Sequence, residues 1–162
     1  MLNPIKILVN GSQGRMGQES VMAIGNDPDL ILVGQTDLED DLETIVDETG
    51  AEVVVDFTTA SVAYSNCNII IQAGARPVIG TSGLLPEEVE KLQKLAQGKN
   101  LGGIIAPNFA IGAVLMMKFA SEAAKYLPDA EIIEMHHENK ADAPSGTAIK
   151  TGNLIASSRS QL

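Results

Sequence analysis

The two histidines of this 162-residue chain are adjacent, and a lysine follows three residues later. His136 and His137 are groups that can exchange protons near neutral pH, and Lys140 adds a positive charge. The Ser-Gly-Thr run at 145–147 then begins a predicted helix, whose first backbone N–H groups are suited to holding a carboxylate. These residue types and their spacing predict a site for a small anionic substrate.

Two other interpretations of this segment stay open from the residues alone. The histidines could be a solvated pair beside a capped helix, without a chemical role. A metal site would need more ligands than the segment offers, so we predict no metal. Neighbouring residues of a strand point to opposite faces, and a strand is predicted over Glu131–His137. One of the two histidines is therefore expected to face a cleft.

A second candidate site follows the first predicted strand, where glycine recurs at every third position, at 11, 14 and 17. In a strand–turn–helix unit, the first glycine allows the tight turn and the second lets the backbone approach a diphosphate. The third permits close packing of helix and strand. Gly11 and Gly14 are therefore predicted to bind a cofactor, and Arg15 adds a positive charge at the phosphate end.

An acidic residue follows the second predicted strand, where dinucleotide-binding domains hold the adenosine ribose. Asp37 is that residue, and it is expected to accept hydrogen bonds from the ribose hydroxyls. No lysine or arginine directly follows it, so the sequence favours NADH over NADPH, although Arg15 could still meet a 2′-phosphate. The alternative is a structural turn that binds nothing.

Short apolar runs alternate with longer segments that carry helix-end signals, and this alternation predicts the elements that position both sites. The predicted strands are Ile5–Val9, Leu30–Val33, Val53–Phe57, Pro77–Ile79 and Ile104–Ala106. Helices are predicted between them, beginning near Arg15, Asp40, Ser61 and Pro86. This order predicts an α/β fold with a doubly wound parallel sheet, a Rossmann-like nucleotide-binding domain.

The segment after the fifth strand predicts the start of a second, α+β domain for the substrate. A helix is predicted from Phe109 to about Tyr126, and Pro128 ends it. The strand 131–137 and a helix from about Thr147 to Ser158 follow. We therefore predict a dinucleotide-binding domain over residues 1–128 and an incomplete catalytic domain over residues 129–162.

Composition excludes several classes of function. The net charge is −10, and no Lys/Arg-rich surface is visible, which argues against binding to nucleic acid or anionic membranes. The only cysteine, Cys67, cannot form an intrachain disulfide and is expected to pack inertly in a helix. Without a signal peptide or an uninterrupted membrane segment, we expect a cytoplasmic protein.

Five motifs, in this order, resemble the dihydrodipicolinate reductases (4-hydroxy-tetrahydrodipicolinate reductases). They are Gly-x-x-Gly-Arg-Met-Gly at 11–17, Asp-Phe-Thr at 56–58, Gly-Thr-Ser-Gly at 80–83, Ala-Pro-Asn-Phe at 106–109 and Glu-x-His-His-x-x-Lys-x-Asp-Ala-Pro-Ser-Gly-Thr-Ala at 134–148. The last motif is long and highly specific. The resemblance implies NADH- or NADPH-dependent reduction of 4-hydroxy-tetrahydrodipicolinate to tetrahydrodipicolinate, on the diaminopimelate route to lysine.

The resemblance also implies roles for single residues. His136 would be the acid or base, and Lys140 would donate a proton and offset the charge of the substrate. The carboxylates of the substrate would be held by His137, Gly146 and Thr147. The nicotinamide side would be lined by Gly80, Thr81, Ser82, Ala106, Pro107, Asn108 and Phe109. The diphosphate would be bound by Gly11, Ser12, Gln13, Gly14, Arg15 and Met16, and the adenosine ribose by Asp37.

Members of this family form homotetramers and continue past the last predicted helix, whereas this sequence ends at Leu162. We therefore expect a truncated chain, for which a catalytically impaired NAD(P)H-binding fragment is the alternative to an active reductase. Assembly stays open, because the segments that would form the tetramer are missing. A different Rossmann dehydrogenase would keep the glycine turn but leave the His-His-x-x-Lys segment unexplained.

Overall fold

A computed structural model describes residues 3–106, 108–127, 129–136, 138 and 143–159. Contacts along the backbone divide the chain into two compact units, residues 1–106 and residues 107–162. Within the described ranges, no helix is long and apolar enough to span a membrane.

The first unit is built on a sheet of five parallel strands in the order β2-β1-β3-β4-β5. The strands are β1 Ile5–Asn10, β2 Leu30–Thr36, β3 Val53–Asp56, β4 Arg76–Ile79 and β5 Ile104–Ile105. Since β2 and β3 lie on opposite sides of β1, the chain reverses its winding direction there. This confirms the predicted doubly wound parallel sheet, and ligands bind such sheets beyond the carboxyl ends of the strands at this reversal.

Four helices connect these strands, close to their predicted positions. They are α1 Arg15–Gly25, α2 Leu42–Thr49, α3 Ala60–Gln72 and α4 Pro86–Gly98. The ends of the helices have the expected local chemistry. Gly50 closes α2 in the left-handed conformation with a φ of 59°, as glycine does readily. At the start of α4, the Glu88 carboxylate accepts the N–H of Leu85 at 2.8 Å.

Two apolar clusters cover the sheet. Leu8 packs in the larger cluster with buried residues of α2, α3 and α4. Its neighbours Ile7 and Val9 belong to the other cluster, together with Ile24 of α1. Because side chains alternate along a strand, these clusters lie on opposite faces of the sheet. The core is therefore aliphatic and double-sided, as a parallel sheet requires.

The second unit contains two described helices, α5 Ile111–Ala123 and α6 Gly146–Arg159, which pack against each other. The hydroxyl oxygens of Ser121 on α5 and Ser158 on α6 lie 2.7 Å apart. This packing groups α5 with the C-terminal segment, and the chain divides after residue 106. The domain boundary near residue 128 stays a prediction.

The predicted strand Glu131–His137 is wrong for the part that the structure describes. Residues 131–136 form neither strand nor helix. A strand requires a neighbouring strand for its backbone hydrogen bonds, and the described part of the second unit contains only helices besides irregular segments. The apolar residues of this segment alone do not supply such a neighbour.

Candidate functional site

The glycine turn between β1 and α1 is tightly packed against the backbone after β3. Gly11 has a φ of 76°, and a Cβ atom there would lie 2.8 Å from the carbonyl oxygen of Phe57. At Gly17, a Cβ atom would overlap the carbonyl oxygen of Gly11. Both positions therefore require glycine, the first for its conformation and its space and the second for close packing of the helix onto the turn.

Most amides before the helix are used inside the turn. The N–H groups of Gly11 and Ser12 donate to the carbonyl of Thr36 at 2.9 and 3.2 Å, and that of Gly14 donates to Gly11 at 3.1 Å. By contrast, the first N–H groups of α1, at residues 15–17, have no acceptor within residues 3–106. Free amides at a helix N-terminus attract an anion. The start of α1 therefore has amides with which an anion could form hydrogen bonds.

Asp37, the predicted ribose-binding residue, also holds the turn in place. One carboxylate oxygen accepts the N–H of Gln13 at 2.9 Å, and the other accepts that of Leu38 at 3.0 Å. Each oxygen of a carboxylate can accept a second hydrogen bond. Asp37 is half-buried, so it can fix the end of β2 and still receive hydroxyl donors from a ligand.

Two cavities adjoin the glycine turn. One, of about 350 Å³, is lined on one side by Asp37, Leu38 and Asp40. The other, of about 370 Å³, is lined by Arg15, Met16, Gly80, Thr81 and Ser82. Gly14, Phe57 and Thr58 line both cavities. The predicted ribose residue and the predicted nicotinamide loop thus lie on either side of the free amides of α1.

The predicted nicotinamide residues 106–109 are divided between the two units. Ala106 belongs to the first unit, and its N–H donates to the carbonyl of Ile79 at 2.9 Å. Pro107 lies outside the described residues. Asn108 and Phe109 belong to the second unit, where the Asn108 amide donates to the Thr147 hydroxyl at 3.1 Å.

A cavity of about 600 Å³ in the second unit brings several predicted site residues together. Asn108, Glu134, His136, Ser145 and Thr147 line it beside an apolar wall from α5 and residues 130–133. His136 is 38% exposed, and its Nδ1 lies 3.9 Å from a carboxylate oxygen of Glu134. The imidazole is thus accessible and lies close to a carboxylate.

The segment predicted to bind an anion lies at the start of α6. The Ser145 hydroxyl accepts the N–H of Ala148 at 3.1 Å, and both carboxylate oxygens of Glu134 accept the N–H of Ser145, at 2.9 and 3.1 Å. The N–H groups of Gly146 and Thr147 have no acceptor in the described part of the unit. They can receive a carboxylate. His137 and Lys140, the other predicted residues of this site, lie outside the described residues.

Sequence reasoning did not identify the structural roles of Asp56 and Glu134. Asp56 is fully buried and accepts hydrogen bonds from side chains beside both cavities of the first unit. Its signals were an acid at the end of an apolar strand and its place in the Asp-Phe-Thr motif. Glu134 stands two residues before His136, and its place in the long motif was the signal for a role beside that histidine.

Both units match sequence profiles of one protein family. Residues 5–109 match the family profile "Dihydrodipicolinate reductase, N-terminus", and residues 112–161 match "Dihydrodipicolinate reductase, C-terminus". The chain belongs to the dihydrodipicolinate reductase family. Both profiles agree with the resemblance that the sequence motifs indicate, and they meet close to the division between the two units.

The names of individual relatives agree with this family assignment. A 4-hydroxy-tetrahydrodipicolinate reductase of Coxiella burnetii (strain Dugway 5J108-111) is 54% identical over 156 residues, which are 96% of this chain and 65% of that relative. A solved structure, "Dipicolinate bound Dihydrodipicolinate reductase from Paenisporosarcina sp. TG-14", has a TM-score of 0.80 and 41% identity, and the match covers 96% of this chain and 67% of that one.

The fold extends beyond this family. "Crystal structure of GenD2 from gentamicin A biosynthesis in complex with NAD" shares 20% identity with a TM-score of 0.58, over 74% of this chain and 40% of that one. At that identity the likeness concerns the fold alone.

Proposed function

We propose that this chain is the cofactor-binding and substrate-binding part of a 4-hydroxy-tetrahydrodipicolinate reductase. The reaction would reduce 4-hydroxy-tetrahydrodipicolinate to tetrahydrodipicolinate, on the diaminopimelate route to lysine. The observation that carries the proposal is the 54% identity to a reductase of that name over 96% of the chain. Since the chain spans 65% of that relative, activity of these 162 residues on their own is part of the proposal.

The first unit fits a nicotinamide dinucleotide. The free amides at residues 15–17 would hold the diphosphate, and Arg15 beside them would add a positive charge. Asp37 would bind the adenosine ribose from the cavity of about 350 Å³, and Gly80–Ser82 would line the nicotinamide side with the second cavity. Met16 and Phe57 would contribute apolar contacts there. When bound, the cofactor would supply a hydride.

We propose NADH as the preferred cofactor. Asp37 is followed by Leu38, Glu39, Asp40 and Asp41, and the sequence contains no lysine or arginine between Arg15 and Arg76. Arg15 lines the cavity on the Gly80 side and does not line the one beside Asp37. A 2′-phosphate on the ribose would therefore meet carboxylates without a nearby cation.

The second unit supplies groups for a small dicarboxylate. The free N–H groups of Gly146 and Thr147 would bind one carboxylate of the substrate. His136, with Glu134 at 3.9 Å, would serve as acid or base, because a protonated imidazole stabilises negative charge that develops on the substrate. Lys140 and His137 would complete the site as proton donor and carboxylate ligand.

A paired binding and turnover experiment tests this function. Calorimetry with NADH and with NADPH would be run beside a coupled assay that uses freshly made product of dihydrodipicolinate synthase. We expect NADH to bind about tenfold more tightly than NADPH, a difference of about 1.4 kcal/mol. Failure of the folded chain to bind either nucleotide at millimolar concentration would refute the proposal.

Two variants separate the roles of the two units. His136→Asn and Lys140→Ala should lower turnover at least about a hundredfold, in the range usual for loss of a general acid, and leave the Kd for NADH unchanged. Normal turnover in both would refute their assigned roles. NADH binding without any turnover in the unaltered chain would favour the alternative, a nucleotide-binding fragment. The 65% coverage of the relative makes that outcome a real alternative.

A further inference from the structure

Asp56, the last residue of β3, is a fully buried carboxylate whose described partners are all uncharged. Its side chain is 0% exposed. It receives five hydrogen bonds: from Asn10 Nδ2 at 2.7 Å, Asn66 Nδ2 at 2.9 Å, the Thr58 N–H at 3.1 Å, Thr58 Oγ1 at 2.7 Å and Thr81 Oγ1 at 3.2 Å. A buried carboxylate is costly unless it is hydrogen-bonded in this way.

These partners come from separate segments that meet at the carboxyl ends of the strands. Asn10 ends β1, Asn66 lies on α3, and Thr81 follows β4. Asn10 in turn accepts a hydrogen bond from the hydroxyl of Thr36, at the end of β2, at 2.9 Å. The network around Asp56 thus connects the ends of four neighbouring strands beside the two cavities of the first unit.

The backbone of Asp56 and Phe57 forms hydrogen bonds to the end of β1 and to the loop after β4. The carbonyl of Asp56 accepts the N–H of Gly80 at 2.9 Å, and the N–H of Phe57 donates to Asn10 at 3.0 Å. The carbonyl of Phe57 packs against Gly11, where any Cβ atom would lie only 2.8 Å away. A shift of Asp56 would therefore move the glycine turn on one side and the loop 80–82 on the other.

We propose that Asp56 is a positioning residue that fixes the separation between the glycine turn and the loop 80–82, so that both can contact one dinucleotide. The proposal rests on the proposed cofactor function. Asp56 itself would touch no ligand, because none of its surface is exposed. Its effect would pass through Asn10 to Gly11 and through Thr81 to the nicotinamide side, a preorganisation of the site before binding.

Asp56→Asn is the most direct test, because it keeps the shape of the side chain while it removes the negative charge and replaces one acceptor oxygen with an amide donor. An amide nitrogen on the Oδ2 side would face the donating amides of Asn10 and Asn66, and on the Oδ1 side it would face the N–H of Thr58. We expect the Kd for NADH, measured well below the melting temperature, to rise by about tenfold or more.

Hydrogen–deuterium exchange of the ligand-free chain gives a readout that does not depend on the cofactor. In Asp56→Asn, peptides that contain residues 11–14 and 80–83 should exchange faster, while those from α4 should not. Ile70→Val and Ile70→Ala are matched controls, because Ile70 is buried on α3 in the apolar core. They should lower the melting temperature and leave both the Kd and the exchange of these peptides unchanged.

Each possible result of these binding, exchange and melting experiments leads to a different conclusion about Asp56. A normal Kd and normal loop exchange in Asp56→Asn, with a melting temperature lowered as in the Ile70 variants, would overturn the proposal and leave Asp56 a purely structural residue. If that variant does not fold, Asn66→Ala removes one of the five hydrogen bonds and should show the same loop exchange with a smaller rise in Kd. Loss of NADH binding by the unaltered chain would refute the cofactor function, while exchange would still decide the role of Asp56.

Discussion

At the scale of single residues, the interior of the first unit controls the chemistry of its only thiol. Cys67 is 1% exposed, and burial raises the pKa of its thiol to about 12 from an ordinary 9.0, with a further contribution from the negative charge of Asp56. Both causes disfavour the thiolate. Cys67 is therefore a packing residue, as the sequence predicts, and has no properties of a nucleophile.

The raised pKa predicts how the stability of the chain depends on alkaline pH. Between about pH 9 and pH 12 the folded state keeps the thiol proton that the unfolded state has lost, so the free energy of unfolding falls as pH rises. The slope from this group is at most about 1.4 kcal/mol per pH unit. Urea unfolding at several pH values should show a steeper decline for the natural chain than for Cys67→Ala. Equal slopes would contradict the prediction.

The residues also differ in how much of their role the sequence reveals. The conformation of Gly11 follows from a local spacing of glycines, and it was predicted. The burial of Asp56 depends on Asn10, 46 residues away, and on Thr81, 25 residues away. No local pattern indicates such contacts, because they arise only when parallel strands bring their carboxyl ends together. Its network therefore became apparent only in three dimensions.

At the scale of elements, the strands and helices of the first unit were predictable because each carries its own signals. The apolar runs fixed the strands, and glycine, proline and acidic residues marked the helix ends. The same reasoning gave a wrong prediction for residues 131–136, where the expected strand does not form. Strand formation depends on a pairing partner, whereas a helix satisfies its hydrogen bonds internally. For this reason the helix predicted from about Thr147 was confirmed as α6, Gly146–Arg159, and the strand was not.

The start of α2 provides a test of helix capping. The exposed Asp41 accepts the hydroxyl of Thr44 at 2.9 Å and its N–H at 3.3 Å, and these hydrogen bonds, the hydroxyl one first, lower the pKa of Asp41 below its ordinary 3.8. The stabilisation of the folded state by the ionised Asp41 should therefore be complete above about pH 4, and it should disappear as pH falls through the lowered pKa. Asp41→Ala should lower the melting temperature by a few degrees at pH 7.

Asp41→Asn is the matched control for this cap. An asparagine keeps an acceptor for the N–H of Thr44 but carries no titrating group. Its melting temperature should stay closer to that of the natural chain at neutral pH. The difference between the two should shrink as the pH is lowered from 5 to 3, as thermal melts at each pH would show. A difference independent of pH would mean that the carboxylate charge does not contribute to the cap.

At the scale of the whole molecule, charge is distributed unevenly. The net charge is −10, and the stretch between Arg15 and Arg76 holds twelve acidic residues and no basic one. This stretch includes Asp37 and the acidic residues that follow it beside the proposed adenosine cavity. A negative ligand approaching that cavity therefore meets repulsion from local carboxylates and from the remaining charge of the chain.

Ionic strength separates these two sources of repulsion. NADPH carries an additional phosphate, so long-range repulsion should weaken its binding more than that of NADH at low salt. The Debye length falls from about 30 Å at 0.01 M to about 8 Å at 0.15 M, which screens distant charges and leaves neighbouring carboxylates effective. We expect the ratio of the Kd for NADPH to that for NADH, measured by calorimetry, to fall several-fold over this range but to stay above one. A ratio independent of salt would assign the discrimination to direct contacts around Asp37, and a ratio below one at both salt concentrations would contradict the proposed preference for NADH.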